Sequence, residues 1–119
     1  MELITRASTV AGRAVVSVSG EIDLATIPKL HDALTRGVAA APPSATVFVD
    51  LDGVYVCDDS GLGVLMGAAG RARQAGGEMI VVCSPGPLRE RLSQTGFDRA
   101  VTVVASLAHA DAAPPEPAD

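Results

Sequence analysis

Four carboxylates stand close together in VFVDLDGVYVCDDSGLGVL, residues 47–65: Asp50, Asp52, Asp58 and Asp59. The pattern reads as the carboxyl end of an apolar strand followed by the entrance to a helix, where open α/β sheets tend to place ligands and phosphates. A helix N-terminus offers unpaired N–H groups and about half a positive charge, so it favours a carboxylate or a phosphoryl group. Two chemistries fit these residues. One is phosphoryl transfer, with one Asp attacking phosphorus and another working beside Mg²⁺. The other is no reaction at all, with Asp58 or Asp59 capping the helix.

The enzyme reading meets missing parts. Asp50-Leu51-Asp52-Gly53 resembles the nucleophile motif of haloacid dehalogenase-like phosphotransferases, but those also need a downstream Lys and a later acidic pair. The one Lys, Lys29, lies upstream, and Asp58-Asp59 follows Asp52 by only six residues. A receiver-type phospho-aspartate domain fails for the same want of a late Lys. Asp59-Ser60-Gly61 is not the GxSxG of a serine hydrolase. His31, beside Asp32 on a polar helix face, and His109, near the C-terminal end, read as solvated residues rather than a base or a ligand. Cys57 and Cys83 lack a CxxC or Cys/His setting and read as small packed hydrophobes, with a redox-linked pair as the alternative. Gly76-Gly77-Glu78 is a helix stop before a strand, not a phosphate loop. No metal, cofactor or small-molecule substrate is expected.

Composition narrows the classes further. The 119 residues are 48% hydrophobic and 19% charged, enough for one ordinary domain with its own core and too apolar for a disordered chain. Aromatics are 3%, so the core is aliphatic and a base-stacking surface is not expected. Nine basic residues are scattered among fourteen acids, net −5, the wrong balance for nucleic acid. No apolar run approaches the ~18–20 residues that cross a bilayer, and Met1–Arg6 lacks the order of a signal peptide. A cytoplasmic location without membrane contact is the expectation.

The elements that must position the carboxylates follow from period and punctuation. Leu3–Val10 and Ala14–Val18 read as a hairpin around Ala11-Gly12-Arg13, and Gly20-Glu21-Ile22-Asp23 as a turn. Ile27, Leu30, Leu34 and Val38 recur at helical spacing behind Thr26 as N-cap and Pro28 in the first turn. Residues 45–51 read as a buried strand, with a loop to Asp58. A second helix runs from about Ser60 to Ala75, carrying Leu62, Leu65, Met66, Ala69 and Ala72 on one stripe. Met79–Cys83 is a strand. Ser84 and Pro85 start a helix that Gly96 ends, Val101–Val104 is a last strand, and Ser106 caps a terminal helix. The order β-β-α-β-α-β-α-β-α gives an α/β domain over residues 1–111, and the Pro- and Ala-rich end, 112–119, reads as a disordered tail.

The second helix is rich in glycine although each interior glycine costs ~1 kcal/mol against alanine. Gly63, Gly67 and Gly70 stand at i, i+4 and i+7 on one side, flanked by Val64 and Ala68. Such a strip admits another backbone closely, either a neighbouring helix of the same domain or a partner protein.

Taken together, Gly20-Glu21-Ile22-Asp23, Val49-Asp50-Leu51, Asp58-Asp59-Ser60-Gly61-Leu62-Gly63-Val64-Leu65 and Gly76-Gly77-Glu78 resemble the STAS domain of bacterial anti-sigma factor antagonists, over about residues 5–110. The resemblance implies a single STAS-type domain, a four- to five-stranded mixed sheet with helices mainly on one face. It also implies a non-enzymatic switch that binds an anti-sigma factor, usually an ATP-dependent serine kinase, and so frees a sigma factor. In that family the kinase phosphorylates a Ser or Thr at the start of the second helix and breaks the complex. The implied contact surface here is Glu21, Asp23, Asp58, Asp59, Ser60, Gly61, Gly63, Val64 and Gly67. One departure stands out: the position that usually accepts phosphate, directly after the Asp, is Asp59. Three readings follow. Ser60 accepts phosphate instead, or the chain binds without a switch, or Asp59 imitates the phosphorylated form. An interaction module of the same fold in a larger sensory or stress-signalling complex, with no sigma factor, is the alternative function.

Overall fold

A computed structural model describes residues 2–108. Five strands form one mixed sheet in the spatial order β1 (Leu3–Val10), β2 (Arg13–Ile22), β3 (Thr46–Cys57), β4 (Glu78–Val82) and β5 (Thr102–Val104). β1 and β2 pair antiparallel across the Ala11-Gly12 turn, and the other neighbours run parallel. The parallel pairs need crossovers, which helices α1 (Ile27–Ala40), α2 (Asp59–Gln74) and α3 (Pro87–Gln94) supply, with a short α4 (Phe97–Ala100) before β5.

Alternation along the strands sorts the side chains into two layers. Val16, Val18, Val47, Val49, Leu51 and Val81 point into the main core with Leu30 and Leu34 of α1 and Leu62, Leu65 and Ala69 of α2. The opposite face holds a small cluster of Val15, Phe48 and Val82, partly covered by Leu107. There Arg13 lays its guanidinium 5.2 Å from the centre of the Phe48 ring and donates to the Leu107 carbonyl at 3.0 Å. The helices therefore lie mainly on one face.

The structure moves several boundaries. Gly20-Glu21-Ile22, expected as a turn, belongs to β2: Glu21 pairs with Val56 and Ile22 with Cys57 after shifts of register. Gly20 makes this possible with φ +106, where any Cβ would overlap the Glu2 carbonyl oxygen. Asp52–Cys57, expected as a loop, continues β3, because pairing with β2 outweighs the turn tendency of Asp-Gly. α3 starts at Pro87 rather than Ser84, and α4 was not foreseen. On α2 the buried stripe is rotated: Ala68, expected to be partly exposed, is fully buried, and Met66 is 45% exposed. Leu107 and Ala108 begin the expected terminal helix; the rest of it, His109 and the 112–119 tail lie outside the described residues.

Candidate functional site

The amino end of α2 sits against the end of β2. The Asp58 amide donates to the Ile22 carbonyl at 3.1 Å, which ties the helix entrance to the neighbouring strand. Asp58 is the N-cap: its Oδ1 accepts from the Gly61 amide at 3.2 Å and from the Ser60 hydroxyl at 2.5 Å. Those bonds favour the charged form, the Ser60 hydroxyl most, and hold the Asp58 carboxyl below its ordinary pKa. Gly61, expected on the contact surface, is instead buried beneath it. A Cβ there would overlap Ile22 Cγ2 and lie 3.2 Å from Cys57 Sγ, so glycine lets the first turn rest on the sheet.

Asp59 faces outward. The Asp59 side chain is 87% exposed and its Oδ1 lies 2.6 Å from Nη2 of Arg91, on α3. Arg91 has no signal in the local sequence, since it stands 32 residues downstream and reaches Asp59 only across the fold, from α3 to the start of α2. Its Nε is buried without a hydrogen-bond partner among the described residues, while the side chain as a whole is 40% exposed. Ser60 is half-buried, with its hydroxyl turned towards Asp58.

The loop from β2 to α1 forms the adjoining edge. Thr26, expected as a side-chain N-cap, makes no cap bond. Its hydroxyl instead donates to the Glu21 carbonyl at 2.8 Å and accepts from the Asp23 amide at 3.0 Å, while Asp23 Oδ1 accepts from the Thr26 amide at 3.1 Å. Glu21 and Asp23 are half-buried, and Asp23 is occupied in fixing this loop. The loop presents Leu24, 78% exposed; Tyr55 and Val56, just before Asp58, are 68% and 43% exposed. Exposed apolar residues next to a fixed polar loop are a contact signal that the local sequence pattern does not carry.

Along α2 the glycine strip is open. Gly63 and Gly67 are exposed, Gly70 is half-buried, and a Cβ at Gly63 or Gly70 would meet nothing within 4 Å. Among the described residues no helix of the same domain uses the strip at those two positions. Val64 is half-buried and packs on the core.

The four carboxylates expected in one cluster separate into two sets. Asp50 Oδ1 accepts from the Asp52 amide at 2.9 Å, and Asp52 accepts from the amide and hydroxyl of Ser84 at 2.7 and 3.1 Å. Asp52 therefore ties β3 to the loop before α3, while Asp58 and Asp59 serve α2. Among the described residues no three His, Cys, Asp or Glu side chains stand close enough to hold a metal ion. Cys57 and Cys83 are buried, free thiols; burial raises both, Cys57 to about 11, so they stay protonated. No helix among the described residues is long and apolar enough to cross a membrane.

A sequence profile of the STAS domain matches residues 5–110. Among solved structures, an anti-sigma factor antagonist from Mycobacterium paratuberculosis is 31% identical, with 93% of this chain and 92% of that one covered and a TM-score of 0.81. The Bacillus cell fate determinant SpoIIAA in its phosphorylated form shares the fold at 17% identity, covering 92% and 98%, TM-score 0.64. So does part of the murine anion transporter Slc26a9, at 18% identity, covering 90% of this chain and 18% of that one, TM-score 0.72.

Proposed function

The chain belongs to the STAS domain family, and on that premise we propose that it is a non-catalytic anti-sigma factor antagonist. In this reading it binds an anti-sigma factor of the serine-kinase type in the cytoplasm and thereby releases a sigma factor. The observation that carries the reading is the preformed, exposed surface at the amino end of α2, where Asp59 is open to solvent and Ser60 lies at its edge. Leu24, Glu21, Asp23, Asp58, Asp59, Ser60, Gly63, Val64 and Gly67 make up the contact, with Gly61 as its support. The engagement of Asp50 and Asp52 with the backbone and Ser84 supports binding over phosphoryl transfer.

Asp59 cannot accept phosphate from a serine kinase. Its pairing with Arg91 favours a chain competent to bind as it stands, because the guanidinium offsets the charge that would otherwise imitate phosphate. Ser60 is then the residue through which a kinase breaks the complex. Phosphate there adds ~−1.5 to −2 charges beside Asp58 and displaces the 2.5 Å bond, while the helix N-terminus still tolerates the anion. The alternative, an interaction module in a larger sensory complex, draws support from the same fold forming a small part of a transporter chain. Capture from the native lysate with and without ATP divides the two. An anti-sigma factor retained without ATP and lost with it, with phosphate on Ser60, is the expected result. Failure to retain any anti-sigma factor under both conditions would contradict the proposal.

A further inference from the structure

We propose that the chain forms a two-fold dimer by pairing the outer edge of β1 with the same strand of a second copy. This inference rests on no part of the functional reading. β1 is an edge strand of eight residues, unbroken in its pairing with β2 from Leu3 to Val10. Natural sheets guard such an edge with charge, proline, a bulge or a covering element. Here the strand carries one charge, Arg6, no proline and no shift of register, and among the described residues nothing pairs with its outer side. It also exposes two large apolar side chains, Ile4 at 58% and Val10 at 44%, on the same face.

The occupant follows from the register that these residues allow. An antiparallel pair with its two-fold axis at Ala7 sets Ile4 opposite Val10 of the second copy, Thr5 opposite Thr9 and Arg6 opposite Ser8. The two exposed apolar residues then cover each other, threonines meet, and no like charges face one another, the combinations that stabilise cross-strand pairs. Moving the axis one residue back would set Arg6 against itself.

The surroundings suit a second copy. Hollows of about 450 and 350 Å³ lie between β1 and α1 and share Ala7, Val16, Gly37 and Ala40. The axis is perpendicular to the sheet, so both helix layers stay on one face and the second α1 closes over these hollows. Paired along its eight residues, the contact runs ~27 Å at ~3.4 Å per residue.

Sedimentation equilibrium over a concentration series tests this with the whole chain. The expected mass rises towards twice the 12.0 kDa of one protomer. Ala7→Lys sets like charges across the axis and returns the chain to a monomer, as does Ala7→Asp; mixing the two variants restores the dimer. Ser8→Arg, which opposes Arg6 with a like charge, weakens association at least tenfold and serves if an Ala7 variant fails to fold. A monomer at every concentration, or a dimer indifferent to both positions, would overturn the proposal. So would a mixture of the Ala7 variants that stays monomeric.

Discussion

The two regions proposed as contact surfaces are built by opposite rules. At the amino end of α2 the polar groups have partners: Asp58 takes the Gly61 amide and the Ser60 hydroxyl, Asp59 faces Arg91, and Thr26 locks the adjoining loop. That surface is preorganised, and in the proposed function its affinity is set by charge that a modification can change. The outer edge of β1 is the reverse, a row of backbone groups with no partner among the described residues. A surface of the first kind can be switched; one of the second kind is satisfied by a strand and stays so.

The contrast can be broken most severely beneath α2. Gly61→Ala drives a methyl into Ile22 and lowers stability by ~1–3 kcal/mol, read by urea unfolding; the same change at Gly70, where nothing lies within 4 Å, leaves stability unchanged or raises it. Asp58→Ala, which removes the cap, lowers the melting temperature by less than Gly61→Ala. The Asp58 pKa is lowered from 3.8 by folding, so its contribution is complete above that value and is lost as pH falls through the lower folded one. Asp58→Asn flattens the acid limb of the stability profile while keeping the cap. The smallest effect belongs to Arg91→Ala. An exposed ion pair is worth ~0–1 kcal/mol and less in salt, so stability barely changes while binding of the anti-sigma factor weakens, because Asp59 is left uncompensated.

Local rules made much of this legible. The strand Leu3–Val10, the periodic Leu30 and Leu34 of α1, and the capping carboxylate before Ser60-Gly61 follow from alternation, helical spacing and N-cap chemistry. What escaped the sequence is non-local. Gly20-Glu21-Ile22 and Asp52–Cys57 carry turn-forming residues, yet each becomes strand because the other is there to pair with it. Met66 and Ala68 exchanged places because a 3.6-residue period gives a stripe, and only the packing of the neighbouring elements decides which edge of it is covered. Arg91 could not be assigned to Asp59 without knowing where the fold places α3, and Leu24 could not be recognised as exposed before the Thr26 bonds fixed its loop.

The central claim, that the amino end of α2 is a contact surface for a macromolecule, is tested most directly by amide chemical-shift mapping of the labelled chain on addition of its anti-sigma factor. The account predicts perturbations concentrated at Asp23–Leu24 and from Asp58 along the open side of α2 to Gly67, diminished in Ser60→Glu. Perturbations confined to β5, α4 or the edge of β1, with the α2 amides unmoved, would contradict it.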